Sequence, residues 1–181
     1  QAKGTSDGTE ASKIEILMNQ TGITTDDRAV TLAALARSEE TGGEPAVAIQ
    51  LEDGRIVTGK TSPLLGAASA AMLNAIKVIA EIPKEIDLIS PRLIKPIQKL
   101  KTEILSSVNP RLHTDEVLIA LSIASNGDKN AKKAMDALHK LKGLEAHSTV
   151  ILSSVDNHTF KKLGINITSE PRYQEKKLFH K

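Results

Sequence analysis

The run Gly54-Arg-Ile-Val-Thr-Gly-Lys-Thr61 matches the spacing G-x-x-x-x-G-K-[ST] of a phosphate-cradling loop. Such a loop needs a strand before it and, after it, a helix whose first N–H groups face the phosphates. The flanks "AVAIQL" and "SPLLGAAS" satisfy that demand. The interior does not. Ile56, Val57 and Thr58 are β-branched and prefer extended backbone. Asp53-Gly54 between two alternating apolar runs is instead a hairpin signal, with a type I′ turn expected to take positive φ at both central residues. No run of four apolar residues followed by Asp is present to hold a metal; "VILSSVD" comes nearest, with two serines in the way. The hairpin is therefore favoured. It still delivers Gly59, Lys60, Thr61 and Ser62 to the start of a helix, where backbone N–H groups, two hydroxyls and a Lys suit an anion. The plainer alternative is that Thr61 and Ser62 cap the helix and Lys60 is solvated.

A second group is "NPRLHTDE", which gathers Arg111, His113, Asp115 and Glu116 at a helix start. His beside carboxylates suits acid–base work or a metal. The competing role is a cap, with acids complementing the helix dipole. Arg111 and His113 are the candidates to support an anion at Lys60–Ser62. His147 opens a buried strand, and His158 follows Asp156 in a loop; His113 and His147 can meet only if their segments abut. There is no Cys, no H-x-x-x-H or H-x-x-E-H spacing and no G-x-S-x-G elbow, so no metal site and no serine-hydrolase triad is expected.

Composition narrows the classes further. The 181 residues are 40% hydrophobic and 25% charged, which is globular usage. Lys and Arg number 24 against 22 Asp and Glu, a net charge of +2 that makes no large field for nucleic acid or lipid. The aromatics are Phe160, Tyr173 and Phe179, too few for the stacking faces of a single-strand binder. No apolar run reaches about 18 residues, so no membrane span is expected. The start "QAKGTSDGTEAS" lacks a signal pattern, and a cytoplasmic protein is expected. Its Gln1 is expected of a piece of a longer chain.

The elements that must position these groups follow from periodicity. Residues 1–12 read as a flexible lead-in and 13–181 as one α/β domain. A helix or strand covers Ile14–Met18. A helix is expected near 26–40, capped by Thr25 or Asp26 and ended by Gly42-Gly43. A hairpin follows, with Val47, Ile49 and Leu51 on one face of its first strand. The next helix is expected over 64–80, with Ser62 as cap and Pro63 at its first position, and its many small residues imply close packing on a sheet. "KEIDLIS" reads as a short buried strand ending at Pro91. A helix from about 92 admits Pro96 in its first turn alone. Thr114 caps a helix over "DEVLIALSIAS", for which a strand is the alternative. "DKNAKKAMDALHKLKGL" is an amphipathic helix ended by Gly143, "EAHSTVILSSV" a buried strand, "DNHTFKKLG" a short helix capped by Asp or Asn, and "INITSEP" a last strand. The expected result is a three-layer α/β/α fold. Its mixed sheet has about five strands, an antiparallel N-terminal hairpin and then parallel ones.

The runs "GRIVTGKTSPLLGAASAAMLNAIK", "NPRLHTDEVLIALSIAS", "EAHSTVILSSVD" and "LGINITSEPRYQEKKLFHK" resemble the C-terminal part of a bacterial family, domain of unknown function 1846, also called uncharacterised protein family 0371. The resemblance covers residues 13–181. It implies an N-terminal domain in the same protein and a cytosolic bacterial setting, and it brings no assigned reaction, cofactor or catalytic residue. The topology is also similar to the cytidine-deaminase-like fold, whose zinc signature is missing here; a likeness of fold says little of function. Two functions compete. One is the binding of a phosphorylated or nucleotide-like small molecule at residues 59–62 with Arg111 and His113. The other is a structural or oligomerisation domain, a homo-oligomer built on the Ala-rich helix 64–80 and serving the N-terminal domain.

Overall fold

Alternation along Ala46–Gln50 (β1) sets the layering. Val47 and Ile49 point into the main core, while Ala48 points the opposite way against Val30 and Ala34. A strand buried on both faces needs helices on both faces. The computed structural model describes residues 9–24 and 27–174. In it, β1 and Ile56–Lys60 (β2) pair antiparallel, with Val47 opposite Gly59. Glu145–Ser148 (β3) joins the other side of β1 antiparallel, and Asn166–Ser169 (β4) pairs parallel with β3. The order is β2-β1-β3-β4, a mixed sheet of four strands among the described residues.

The helices are Thr9–Thr21 (α1), Ala29–Glu40 (α2), Ala67–Ile79 (α3), Pro91–Lys99 (α4), Thr114–Ala124 (α5), Lys129–Ala137 (α6) and Ser154–Lys162 (α7). A π-helical turn, Leu100–Ile104, extends α4, and a 3₁₀ turn, Leu138–Leu141, extends α6. α2 covers one face of the sheet and α3 the other. The ambiguous run at Ile14–Met18 and the run after Thr114 are both helical. Residues 1–8, the cap candidates Thr25 and Asp26, and residues 175–181 lie outside the described residues.

The fifth expected strand does not form. "KEIDLIS" is irregular, because Pro83 and Pro91 bracket it and its two buried side chains, Leu88 and Ile89, serve as anchors in the core. β3 stops at Ser148 instead of running to Val155. There β1 has no more backbone to offer: the Thr149 N–H reaches the carbonyl of Ala46, its first residue, at 3.0 Å. The Ser148 hydroxyl then ties down Val150 locally, donating to its carbonyl at 2.7 Å and accepting from its N–H at 3.3 Å. The hairpin is present with a different turn. Its loop is Glu52–Gly54, closed by Leu51 N–H to Arg55 O at 2.8 Å, and Gly54 has positive φ (85°) while Asp53 does not.

Helix starts are displaced too. α3 begins at Ala67 with Gly66 at its N-cap, not at 64 under a Ser62 cap. The Ser62 hydroxyl accepts from the N–H groups of Leu64 and Leu65 at 3.3 and 3.0 Å, capping a turn rather than a helix. The intervening Leu65 forms an isolated parallel bridge with Leu112. Pro91, not Pro96, takes the first position of α4; Pro96 sits inside the helix on its exposed side. The N-cap of α5 is His113, and that of α7 is Ser153, whose hydroxyl accepts from Asp156 N–H at 3.0 Å.

Candidate functional site

Gly59 lies where α3 crosses β2. A Cβ there would stand 2.1 Å from Ala71 N and 2.6 Å from Ala70 C. No side chain fits, so the glycine and the alanines opposite it exist to let helix and strand touch. That contact fixes α3, and its first turn, Gly66-Ala67-Ala68, then lines a cavity of about 60 Å³. Thr61, Arg111, His113, Ser153 and Asp156 line the same cavity.

The segment carrying Arg111 and His113 is held from several sides. The Leu112 N–H donates to Leu64 O at 3.0 Å, and Leu112 O accepts from Gly66 N–H at 3.3 Å and from Ser69 Oγ at 3.0 Å. Buried Lys101, in the π-helical turn, donates from Nζ to Arg111 O and to Glu116 Oε2, both at 2.6 Å. The same Glu116 oxygen accepts the His113 N–H at 2.8 Å, half of a capping box. The extra residue of a π-turn re-aims side chains relative to an α-helix, and here it brings a lysine under the loop. Arg111 is 6% exposed, and its Nε donates to Ser62 O at 2.8 Å. Burial pulls the guanidinium below its usual range, opposed by the charge of Glu44.

Asp156 is the hub. Its Oδ1 accepts from Thr114 N–H at 2.9 Å and from the Thr114 hydroxyl at 3.0 Å, so a residue of α7 caps α5. Its Oδ2 accepts from Ser153 Oγ at 2.7 Å and meets His113 Nδ1 at 2.9 Å. Burial alone would raise this carboxyl, but His113, Thr114 and Ser153 together hold it below its usual range. The hydrogen bond to Asp156 raises His113, against a smaller opposing effect of burial. The three side chains are not a hydrolase triad: Asp156 and Ser153 face the same ring nitrogen, and the serine hydroxyl donates to the carboxylate. Both contacts are made by Nδ1 of His113.

Of the residues singled out in the sequence, the structure brings together Thr61, Arg111 and His113. Gly59 is a packing residue, and Lys60 is exposed. Strand alternation turns Lys60 to the α2 side of the sheet, away from the cavity. Ser62 contributes its carbonyl to Arg111. The phosphate-loop spacing is therefore spread along a strand, with Gly54 in the turn, Arg55 closing it and Ile56–Lys60 in the ladder. Residues missed from the sequence are Asp156, Ser153, Lys101 and the Gly66–Ala68 turn. The signal for Asp156 was present in "SSVDN", but it pointed to a cap on its own helix, not on one 42 positions away.

His147 belongs to a separate network. Its Nδ1 meets Thr168 Oγ1 at 2.8 Å and its Nε2 meets Glu170 Oε1 at 3.1 Å. Burial lowers its pKa, with Glu170 opposing. Arg28, at the N-cap of α2, binds Glu145 and Thr168 there and ties α2 to the sheet. Among the described residues, no three His, Asp or Glu side chains form a group that could hold a metal ion. No described helix is long and apolar enough to cross a membrane.

These residues belong to an α/β domain in which Gly66, His113 and Ser153 stand at helix starts. The family model described as domain of unknown function DUF1846, C-terminal, matches residues 26–179, and the chain belongs to that family. It is 54% identical over 175 residues to a UPF0371 protein of Corynebacterium efficiens, covering 97% of this chain and 35% of that protein. A UPF0371 protein of Streptococcus thermophilus is 53% identical over 173 residues, 96% of this chain and 35% of that one. One of Streptococcus pyogenes is 54% identical over 169 residues, 93% and 34%. The chain spans about 35% of the length of the curated relatives it matches.

Proposed function

We propose that this domain binds the anionic head group of a small molecule, such as a phosphoryl group, in the cavity between α3, α5 and α7. The observation that carries it is convergence. Gly66, His113 and Ser153 are the N-caps of these three helices, and all three line one cavity with buried Arg111. A helix N-terminus carries up to about half a positive charge, and its first N–H groups point outward. The size of the cavity limits the ligand. Pockets that enclose whole small molecules run to roughly 300–1,000 Å³, against about 60 Å³ here. A head group enters, and the rest of the molecule lies outside or against another part of a longer protein. Calorimetric titration of a full-length relative and of this chain with phosphate, sugar phosphates and nucleotides tests this. Arg111→Ala is expected to weaken the ligand found at least tenfold; unchanged affinity would move the site elsewhere.

A second function rests on a different observation. Ile14, Leu17 and Ile23 are more than half exposed in and just after α1, which has no substantial packing partner among the described elements. This fits a platform for the remaining two-thirds of a protein like its relatives.

A further inference from the structure

We propose that the cavity selects a doubly charged tetrahedral oxyanion, the class that includes phosphate monoesters, over a carboxylate, and that the imidazolium of His113 makes the choice. The inference rests on the anion-binding function proposed for the cavity.

The balance of charge carries it. Arg111 brings one positive charge to the cavity and Asp156 one negative charge. Lys101, reaching in from the π-helical turn, is neutralised by Glu116 of α5 at 2.6 Å. Glu44, before β1, acts on Arg111 and adds nothing positive. With neutral His113, the side chains around the cavity therefore sum to no net positive charge, and the starts of α3 and α7 are left to attract an anion. Protonation of His113 adds one positive charge beside the cavity. A dianion gains twice as much from that added charge as a monoanion does.

Geometry points the same way. Asp156 holds Nδ1, which orients the ring and favours its charged form. Asp156 in turn is saturated by Thr114 and Ser153, so its charge is committed to the protein. The starts of α3 and α7 line the cavity with the side chains of Arg111 and His113, while the first N–H groups of α5 are taken by Asp156 and Asp115. A tetrahedral oxyanion has enough oxygens to meet them, and a carboxylate has two.

The test is an NMR-followed titration of this chain with sulfate, phosphate and acetate at several pH values from 5.5 to 8.5. Sulfate stays doubly charged throughout, so its pH dependence reports the protein. Its affinity is expected to fall about tenfold per pH unit above the His113 midpoint, and acetate to bind at least tenfold more weakly at pH 5.5. By reciprocity, saturating sulfate must raise the His113 midpoint, which needs no variant. His113→Gln is expected to bind sulfate weakly and without pH dependence, and His147→Gln to keep the parental profile. An unmoved His113 midpoint under saturating sulfate, a flat profile in the parent, or acetate binding as tightly as sulfate overturns the selection by His113 while leaving the anion site standing. No binding of sulfate or phosphate at any pH overturns the anion site itself.

Discussion

Two histidines of this domain, His147 buried and His113 half-buried, are tuned in opposite directions, and pH separates them. His113 is raised by its hydrogen bond to Asp156, so its stabilising contribution is fully present below its ordinary value of 6.5 and fades as pH rises through the raised folded value. His147 is lowered by burial, so its contribution is present above 6.5 and fades as pH falls through the lowered folded value. Urea unfolding should show this directly. The stability gap between the parent and His113→Gln is expected to shrink as pH climbs from about 6 to 9, and that between the parent and His147→Gln to shrink as pH falls from about 7 to 5. Asp156→Asn removes the cause of the first shift. In an NMR titration, the His113 midpoint should drop in that variant; a midpoint that stays put would show that Asp156 does not hold the ring. Residue types made His113 and Arg111 visible in the sequence, because both stand next to a recognisable helix start. Asp156 was hidden, since the groups it serves belong to a different helix.

At the level of elements, contact between α3 and β2 is the demanding one. Gly59→Ala would push a methyl into the backbone of α3. Ordinary overpacking costs about 1–3 kcal/mol, and a backbone clash that no rotamer relieves should exceed about 3 kcal/mol. Thermal melting of the variant checks this. Lys101→Met is a second expectation. Loss of its bonds to the Arg111 carbonyl and Glu116 should cost about 1.5–3 kcal/mol, the range for charge-assisted hydrogen bonds. It should also loosen the loop that presents Arg111 and His113, so anion affinity falls with stability; retained affinity in a destabilised variant would show that the loop needs no such prop. The α3 start shows why helix boundaries were misplaced. Ser62-Pro63 has the chemistry of a helix start, but the turn that Ser62 caps and the bridge between Leu65 and Leu112 delay the helix to Ala67. A pairing between segments 47 positions apart leaves no local trace.

For the molecule as a whole, the question is what covers its exposed apolar side chains. Besides those in and after α1, Ile119 and Ile123 stand on one side of α5, and Ile104, Leu105 and Val108 follow α4. Ile14 and Leu17 on α1, and Ile119 and Ile123 on α5, stand one turn apart on their helices, so neither pair is an isolated side chain. Hydrogen exchange on a full-length relative is expected to show stronger protection of α1 than exchange on this chain does; equal, fast exchange in both would argue against the platform function.

The sequence by itself determined the α/β layering, the hairpin, the amphipathic helices and the family. Each of these is written in periodicity, turn residues or long ungapped runs, which act over a few neighbouring residues. It also raised a phosphate-loop pattern that β-branched residues turn into a strand. The tertiary structure alone decided which helix starts meet. α3, α5 and α7 open on one cavity because Gly59 lets α3 sit on the sheet, Leu112 bridges to Leu65, and Asp156 caps a helix other than its own. These contacts join residues far apart in the chain, so no local pattern encodes them.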